Sequence, residues 1–392
     1  MQYDDSPLQV RWPAQYNEIP KEVFHREDVY HRELERIFEG QDWHPVAHAA
    51  EVPMPGDYKT AQVGEARLLV VHGDDGRIRV FLNSCPHRGT QLKTDSRGNG
   101  TRIECPYHRW SFNNGGRLLG APGSDQFPPA FSKADYGLRE VRSDELHGLV
   151  FANFSTDGPP LDLFLGEAVD YLPKVLGGDG RLKLLGYQKV VYNANWKEYG
   201  DNEGYHAPLL HRAFRLLRWQ GGKGMQLVTR YGHKVVEAEL ATPGGSFLND
   251  ASLVAARDPN SPPRSLVVSV FPMTTMVKHL DVINLRFAFP RSSDETEVHY
   301  AYFHHADDDA DLIRHRLRQA SNLLGPSGFI SLEDGAVFNR LHQGSSTPGK
   351  VAFQKGYRGP MEAPCSAEQG DEASNLIRWE RYREIMGFRR DD

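Results

Sequence analysis

The sequence predicts an α+β protein of two main domains, and three observations carry that prediction. Short runs rich in valine and leucine, cut by turn residues, fill positions 44–155. A second series of apolar runs fills 225–305. Apolar residues recur at helical spacing near 25–39, 310–324 and 372–386. At 392 residues with 39% apolar content, the chain is long enough for two or three cores. The expected boundaries are an N-terminal helical segment over 1–43, an antiparallel β domain over 44–155 and a larger domain over 156–392.

Composition narrows the function. The formal net charge of -6 is small for this length and no basic tract occurs, which argues against a nucleic acid or an anionic membrane as partner. Small molecules are the expected ligands. Residues 1–10 carry two acids and a proline where a signal peptide needs a basic start and an apolar run. The longest apolar runs, such as 68–71, are far too short to cross a bilayer, so a cytoplasmic protein is expected. Three cysteines do not make a disulfide framework, and Cys365, in a Glu-Ala-Pro-Cys-Ser context, reads as a loop bystander.

In chain order, Tyr30, Leu34, Ile37 and Phe38 predict an amphipathic helix that stops at Gly40. Asp74-Asp75-Gly76 separates the runs at 68–71 and 78–82 and predicts a hairpin. That hairpin leads into Cys85-Pro-His87-Arg88-Gly89, and a later loop reads Cys105-Pro-Tyr-His108-Arg109-Trp110. The spacing is Cys-x-His, seventeen residues, then Cys-x-x-His. Two thiolates and two imidazoles could hold a tetrahedral zinc, but a common zinc finger takes its cysteines from one loop and its histidines from another. Here each loop donates one of each, which suits a Rieske 2Fe-2S centre with both cysteines on one iron and both histidines on the other. Gly89, Gly98, Gly100, Gly115 and Gly116 suit tight loops that bring backbone N–H groups close to the cluster sulfurs.

Residues 155–185 read as a linker with one helical stretch near 163–176, followed by a strand at 187–193. The next stretch, 195–211, places Glu203 three residues before His206 and His211 five residues after it. Two imidazoles and a carboxylate on one face of an iron ion leave positions open for dioxygen. On an ideal helix, positions five apart point about 140° away from each other, so spacing alone does not demand joint ligation. Gly204 and Pro208 permit a break that would allow it. Strands are expected at 234–240, 265–271, 281–289 and 297–304, with a long loop marked by Gly244-Gly245, Asp258-Pro259 and Pro262-Pro263 as a mobile cover over a pocket. His233, His279, His299, His304 and His305 are read as packed or solvated strand residues without a role. A helix over 310–324 ends at Gly325-Pro326. Beyond it, Glu333-Asp334 sits inside an apolar segment as a helix-start acid pair, either member of which could complete the iron site. The last helix, 372–386, reads as a docking helix.

Taken together, these residues resemble the α, or terminal oxygenase, subunits of Rieske non-haem iron aromatic-ring-hydroxylating oxygenases, over nearly the whole length from Trp43 to Met386. The resemblance implies an antiparallel β Rieske domain and a catalytic domain in which a twisted antiparallel sheet is covered by helices. It implies Cys85, His87, Cys105 and His108 as ligands of the 2Fe-2S cluster, His206, His211 and Asp334 as ligands of Fe(II), and Glu203 as the bridging carboxylate. Relatives carry extra residues before the Tyr-His pair, and this shortening makes Asp201 the substitute bridge. Electrons are expected from a separate NAD(P)H-dependent reductase, with or without a ferredoxin, because the chain has no dinucleotide or phosphate-binding loop of its own. Electron transfer between neighbouring subunits of a homotrimer, or of an α3β3 assembly with a small β subunit, follows from the same resemblance. The segment 325–337 is similar to the branch acting on aromatic acids such as salicylate and terephthalate, while the start of the C-terminal helix departs from it. Arg286 is the candidate partner for a substrate carboxylate, weighed against an outward-facing sheet arginine. The expected reaction is hydroxylation or cis-dihydroxylation of an aromatic substrate with O2. The rival readings are an N- or O-demethylase using the same iron, and a Rieske electron-transfer protein without an oxygenase site.

Overall fold

The computed structural model describes residues 8–177, 179–202, 224–240, 250–260 and 264–391. Its contacts divide the chain into two compact units, Phe38–Leu161 and Met1–Ile37 with Asp162–Asp392. The N-terminal helix thus belongs to the larger unit.

In the smaller unit a seven-stranded antiparallel sheet runs in the order His44–His48, Leu149–Asn153, Glu140–Leu146, Ile78–Leu82, Ala66–His72, Asp57–Val63 and Arg97–Asn99. The expected hairpin is present, with Leu68 opposite Leu82 and His72 opposite Ile78. A three-stranded sheet of Ile103–Glu104, Ser111–Phe112 and Leu118–Gly120 completes the unit. Because side chains alternate along a strand, Leu69 and Val71 share one face, and with Phe81 they pack against Cys85, Cys105 and Trp110. The hairpin is therefore the floor under the two cysteine loops.

The larger unit is built on an eight-stranded antiparallel sheet. Its order is Leu182–Tyr192, Thr296–His305, Val282–Pro290, Thr274–His279, Arg264–Val270, Lys234–Glu239, Gly224–Val228 and Cys365–Glu368. The four strands expected between 234 and 304 are all present. Two more, Gly224–Val228 and Thr274–His279, have no counterpart in the sequence reading. Cys365 opens the edge strand, which corrects its reading as a loop residue. That strand takes its form from pairing, Met225 with Glu368 through Val228 with Cys365, and its own four residues, Cys-Ser-Ala-Glu, are too short and too weakly apolar to reveal it.

Helices cover the sheet. Val277, Val298 and Tyr300 from the strands pack against Leu323, Leu324, Ile330 and Phe338. The helix predicted over 310–324 runs as Ala310–Gln319 and continues in wider turns through Leu324. The segment around Glu333-Asp334 forms the helix Ser331–Ser345, and Asn375–Met386 is the docking helix, closed by Gly387 at φ +75°. Glu33, fully buried at the end of the Glu27–Glu33 helix, ties the elements together. Its carboxylate accepts from Lys197 Nζ at 2.6 Å, from Trp196 Nε1 at 2.7 Å and from the Tyr382 hydroxyl. Among the described residues, no helix is long and apolar enough to cross a membrane.

Candidate active site

The two cysteine loops repeat one backbone pattern. Cys85 N–H donates to Thr90 O and Gly89 N–H to Cys85 O, both at 2.8 Å. In the second loop Cys105 N–H donates to Trp110 O at 2.8 Å and Arg109 N–H to Cys105 O at 3.1 Å. The fourth residue after each cysteine is left-handed, Gly89 at φ +73° and Arg109 at φ +56°. Glycine takes that conformation freely, whereas arginine takes it against a Cβ clash.

Both thiols are buried and free. Burial pushes the Cys85 thiol up, the N–H groups of His87 and Arg88 pull it down, and neighbouring Cys105 raises it again. The His87 and His108 rings stand 4.8 Å apart, and Trp110 lies flat on His87 at 4.6 Å with 4° between the planes. Nδ1 of His108 is buried without a hydrogen-bond partner. Among the described residues no three His, Cys, Asp or Glu side chains gather for a single metal ion. Two adjoining thiols with N–H donors aimed at sulfur, and a pair of imidazoles with an unspent ring nitrogen, fit a two-iron cluster.

The larger unit holds a cavity of about 140 Å³ on one face of its sheet. The strand register assembles it: Thr275 lies opposite Arg286, Arg286 opposite Tyr300, and Ser265 opposite His279. Ser331, Asp334 and Phe338 line it from the covering helix at intervals of three and four, one helical face. Tyr192 and Tyr300 share a hydrogen bond at 3.2 Å in its wall.

Arg286 supplies the charge. Its Nε is buried with no partner, and its Nη2 lies 3.5 Å from Leu324 O, the weak end of hydrogen-bond range. The guanidinium sits over the Tyr300 ring at 5.1 Å. Burial works against this cation, and the surrounding tyrosine oxygens, Tyr300 first, offset it. His279 is pushed down to about 3, by burial first and then by Arg286, so it is neutral at ordinary pH and bonds Ser265 Oγ at 3.0 Å. A half-buried cation with donors to spare, in a wall of tyrosines, could accept an anion.

Glu203, His206 and His211 lie outside the described residues, as does most of the loop marked by Gly244-Gly245 and Pro262-Pro263. What leads to them is well held. Asn195 caps the Trp196–Gly200 helix through Lys197 N–H, and Asn375 Nδ2 donates to Asp201 O at 3.0 Å. Trp379 Nε1 donates to Asp201 Oδ2 at 3.2 Å, which ties that oxygen to the docking helix. The structure brings Asp334 and Arg286 to one cavity, the arrangement the outward-facing alternative for Arg286 did not allow. His279, read as roleless, lines the same cavity, as do Tyr192 and Tyr300. Register is the signal for His279: it shares a face with Thr275 on the strand Thr274–His279, which no expected run covers. Asn284, on the same sheet face as Arg286, is also buried, with neither amide atom bonded.

The chain matches the family described as Rieske 2Fe-2S domain over residues 42–137. It matches the ring hydroxylating alpha subunit (catalytic domain) family over residues 179–369. It is 32% identical to the anthranilate 1,2-dioxygenase large subunit of Burkholderia cepacia, over 94% of this chain and 93% of that one. It is 30% identical to the large oxygenase component of salicylate 5-hydroxylase of Ralstonia sp, over 86% and 87%. Among solved structures, naphthalene 1,2-dioxygenase from Rhodococcus sp. bound to indole superposes with a TM-score of 0.81 at 25% identity, covering 94% of each chain.

Proposed function

The chain belongs to the Rieske ring-hydroxylating oxygenase α subunits, a family of 2Fe-2S and non-haem Fe(II) enzymes, and we propose that its own substrate is a single-ring aromatic carboxylate. The observation that carries this reading is Arg286: a half-buried guanidinium, its Nε enclosed and without a partner, in the cavity that also receives Asp334. A cavity of about 140 Å³ is close to the roughly 150 Å³ that accommodates benzene, so it suits one ring. Both relatives named above act, by their names, on benzoic acids carrying one further substituent.

In this reading Cys85, His87, Cys105 and His108 hold the cluster, and His206, His211 and Asp334 hold the catalytic iron. When bound, that iron supplies dioxygen activation at the positions its three protein ligands leave open. The protein's part is placement. Arg286 pairs with the carboxylate through its free edge, and the tyrosine wall excludes water and packs the ring. Neutral His279 adds a polar contact without a competing charge. In this reading Glu203 is the acid that links His108 of one subunit to His206 of the next, with Asp201, one of whose oxygens accepts from Trp379 Nε1, as the substitute. A homotrimer, with or without a small β subunit, and a separate reductase with or without a ferredoxin complete the proposed system.

The test is substrate-dependent O2 uptake with reductase supplied, comparing substituted benzoates with the matching neutral benzamides. Carboxylates are expected to support turnover and amides to turn over roughly 100-fold less efficiently. Equal turnover of both would remove Arg286 from recognition. Product analysis separates hydroxylation from cis-dihydroxylation, and formaldehyde release from N- or O-methylated compounds would move the assignment to a demethylase.

A further inference from the structure

Resting on the reading that Asp334, His206 and His211 hold iron, we infer that His342 is a positioning residue for that site. Bonded to a carboxylate at each ring nitrogen, it clamps the helix carrying Asp334 to the turn that leads into both histidines.

The geometry is a three-way junction. His342 Nδ1 lies 2.9 Å from Glu198 Oε2, and Nε2 lies 3.1 Å from Asp294 Oδ1. Glu198 is on the Trp196–Gly200 helix, where the same Oε2 accepts Asn195 N–H at 2.9 Å and closes the capping box. Its other oxygen accepts Ser345 Oγ at 2.6 Å, a second bond from the helix that carries His342. Asp294 sits in a turn that is itself tied back, because Asn195 Nδ2 donates to Ser293 O at 2.7 Å. One carboxylate therefore receives the helix of Asp334, and the residue that caps the turn before Glu203 holds the other partner's loop.

The lever is short. Asp334 precedes His342 by eight residues on one helix, about 12 Å at 1.5 Å per residue, so sliding the far end displaces the near end by the same amount. A metal ligand tolerates such slippage poorly, and outer contacts that fix ligands are worth about 10- to 100-fold in metal affinity.

Only the imidazolium can donate from both nitrogens; a neutral ring serves one carboxylate and turns a lone pair to the other. The groups facing His342 are Glu198 and Asp294, and at the end of its helix Lys21 Nζ bonds Gly344 O and Thr347 Oγ1. The hydrogen bond to Glu198 raises His342 above the ordinary imidazole value against the opposing effect of burial. For a raised imidazole, the contribution is complete below the ordinary value and disappears as pH rises through the raised one. The clamp therefore loosens on the alkaline side, opposite to the ligand histidines, which release metal as they take up protons on the acid side.

The experiment is a chelator challenge of the anaerobically purified full-length holoprotein from weakly acidic to alkaline pH. Metal analysis reads the catalytic iron and the cluster's EPR signal serves as the internal reference. Wild type is expected to lose catalytic iron at both ends of the range. His342→Gln is expected to lose it about tenfold faster near neutrality, with the cluster signal unchanged and no further alkaline fall. His342→Arg keeps a permanent two-sided donor, so it should restore retention and abolish the alkaline fall. Asp294→Asn alters a partner that is 60% exposed, so folding is not at stake, and should move the alkaline fall to lower pH. A His342→Gln curve superimposable on wild type overturns the clamp, as does an Asp294→Asn curve that does not move. Wild type with no iron beyond its cluster would instead overturn the ligand assignment on which the clamp rests.

Discussion

The cluster loops and the catalytic cavity are built on opposite principles. Each cysteine loop is a local object: five or six consecutive residues close on themselves through two backbone hydrogen bonds, and the second loop repeats the first. The cavity is a tertiary object. Arg286, Tyr300, Thr275 and Tyr192 meet only because four strands pair in one register, and Asp334 joins them from a covering helix. A local site survives the loss of distant contacts, whereas a tertiary site depends on every element that fixes its register.

The largest effect should come from cutting the local site. Cys105→Ser removes one of two thiolates on a single iron, and the cluster with its visible and EPR signals should be lost outright. His206→Ala makes the converse cut: one iron fewer per chain with the cluster intact. Metal and sulfide analysis on both variants checks the contrast, and loss of both centres in either one would break it.

Glu33→Ala tests the tertiary site from far outside. Removing this carboxylate leaves the Lys197 ammonium buried without its partner, and breaking such a pair costs roughly 3–5 kcal/mol. The Trp196–Gly200 helix, the docking helix and the N-terminal helix all lose their common anchor. Denaturant unfolding should register the loss, and catalytic iron should fall while the cluster signal stays. A proportional loss of cluster would show that the two sites share their support.

Arg286→Gln should leave both metal centres and the stability nearly unchanged and act on substrate alone. Losing a charge-assisted, desolvated contact is worth about 2–3 kcal/mol, or roughly 100-fold in kcat/KM for carboxylates. Neutral amides should be indifferent to the change. Steady-state kinetics on the two substrate classes decides it.

The same contrast explains what could be read from the amino acids. That Cys85, His87, Cys105 and His108 come together was legible because their chemistry is written at fixed short spacing. The hairpin under them was legible because Asp74-Asp75-Gly76 has one structural meaning. Residue chemistry alone narrowed the third acid to the pair Glu333-Asp334 and the resemblance singled out Asp334, which shares a helical face in the cavity with Ser331 and Phe338. The strands Thr274–His279 and Cys365–Glu368 were not legible, since their own residues are few or only weakly patterned and pairing defines them. With Thr274–His279 unseen, the place of His279 in the cavity was unseen too.

The smallest effect bears on whether the two loops are true equivalents. Gly89 and Arg109 occupy the same left-handed position, and the conformation costs a non-glycine residue on the order of 1–2 kcal/mol. Arg109 also bonds Glu104 at 2.8 Å, but the pair is exposed, and exposed pairs contribute about 0–1 kcal/mol. In Arg109→Gly the relief of strain is set against the lost pair and a more flexible unfolded chain, worth about 0.4–1 kcal/mol. The three nearly cancel, so the net change should stay within about 1 kcal/mol with the EPR signal unmoved. A cycle with Glu104→Ala isolates the pair, because in the Ala background only strain and chain entropy remain. A loss well above 2 kcal/mol, or a shifted EPR signal, would mean that the arginine is part of the cluster's surroundings, and the second loop would no longer be a copy of the first.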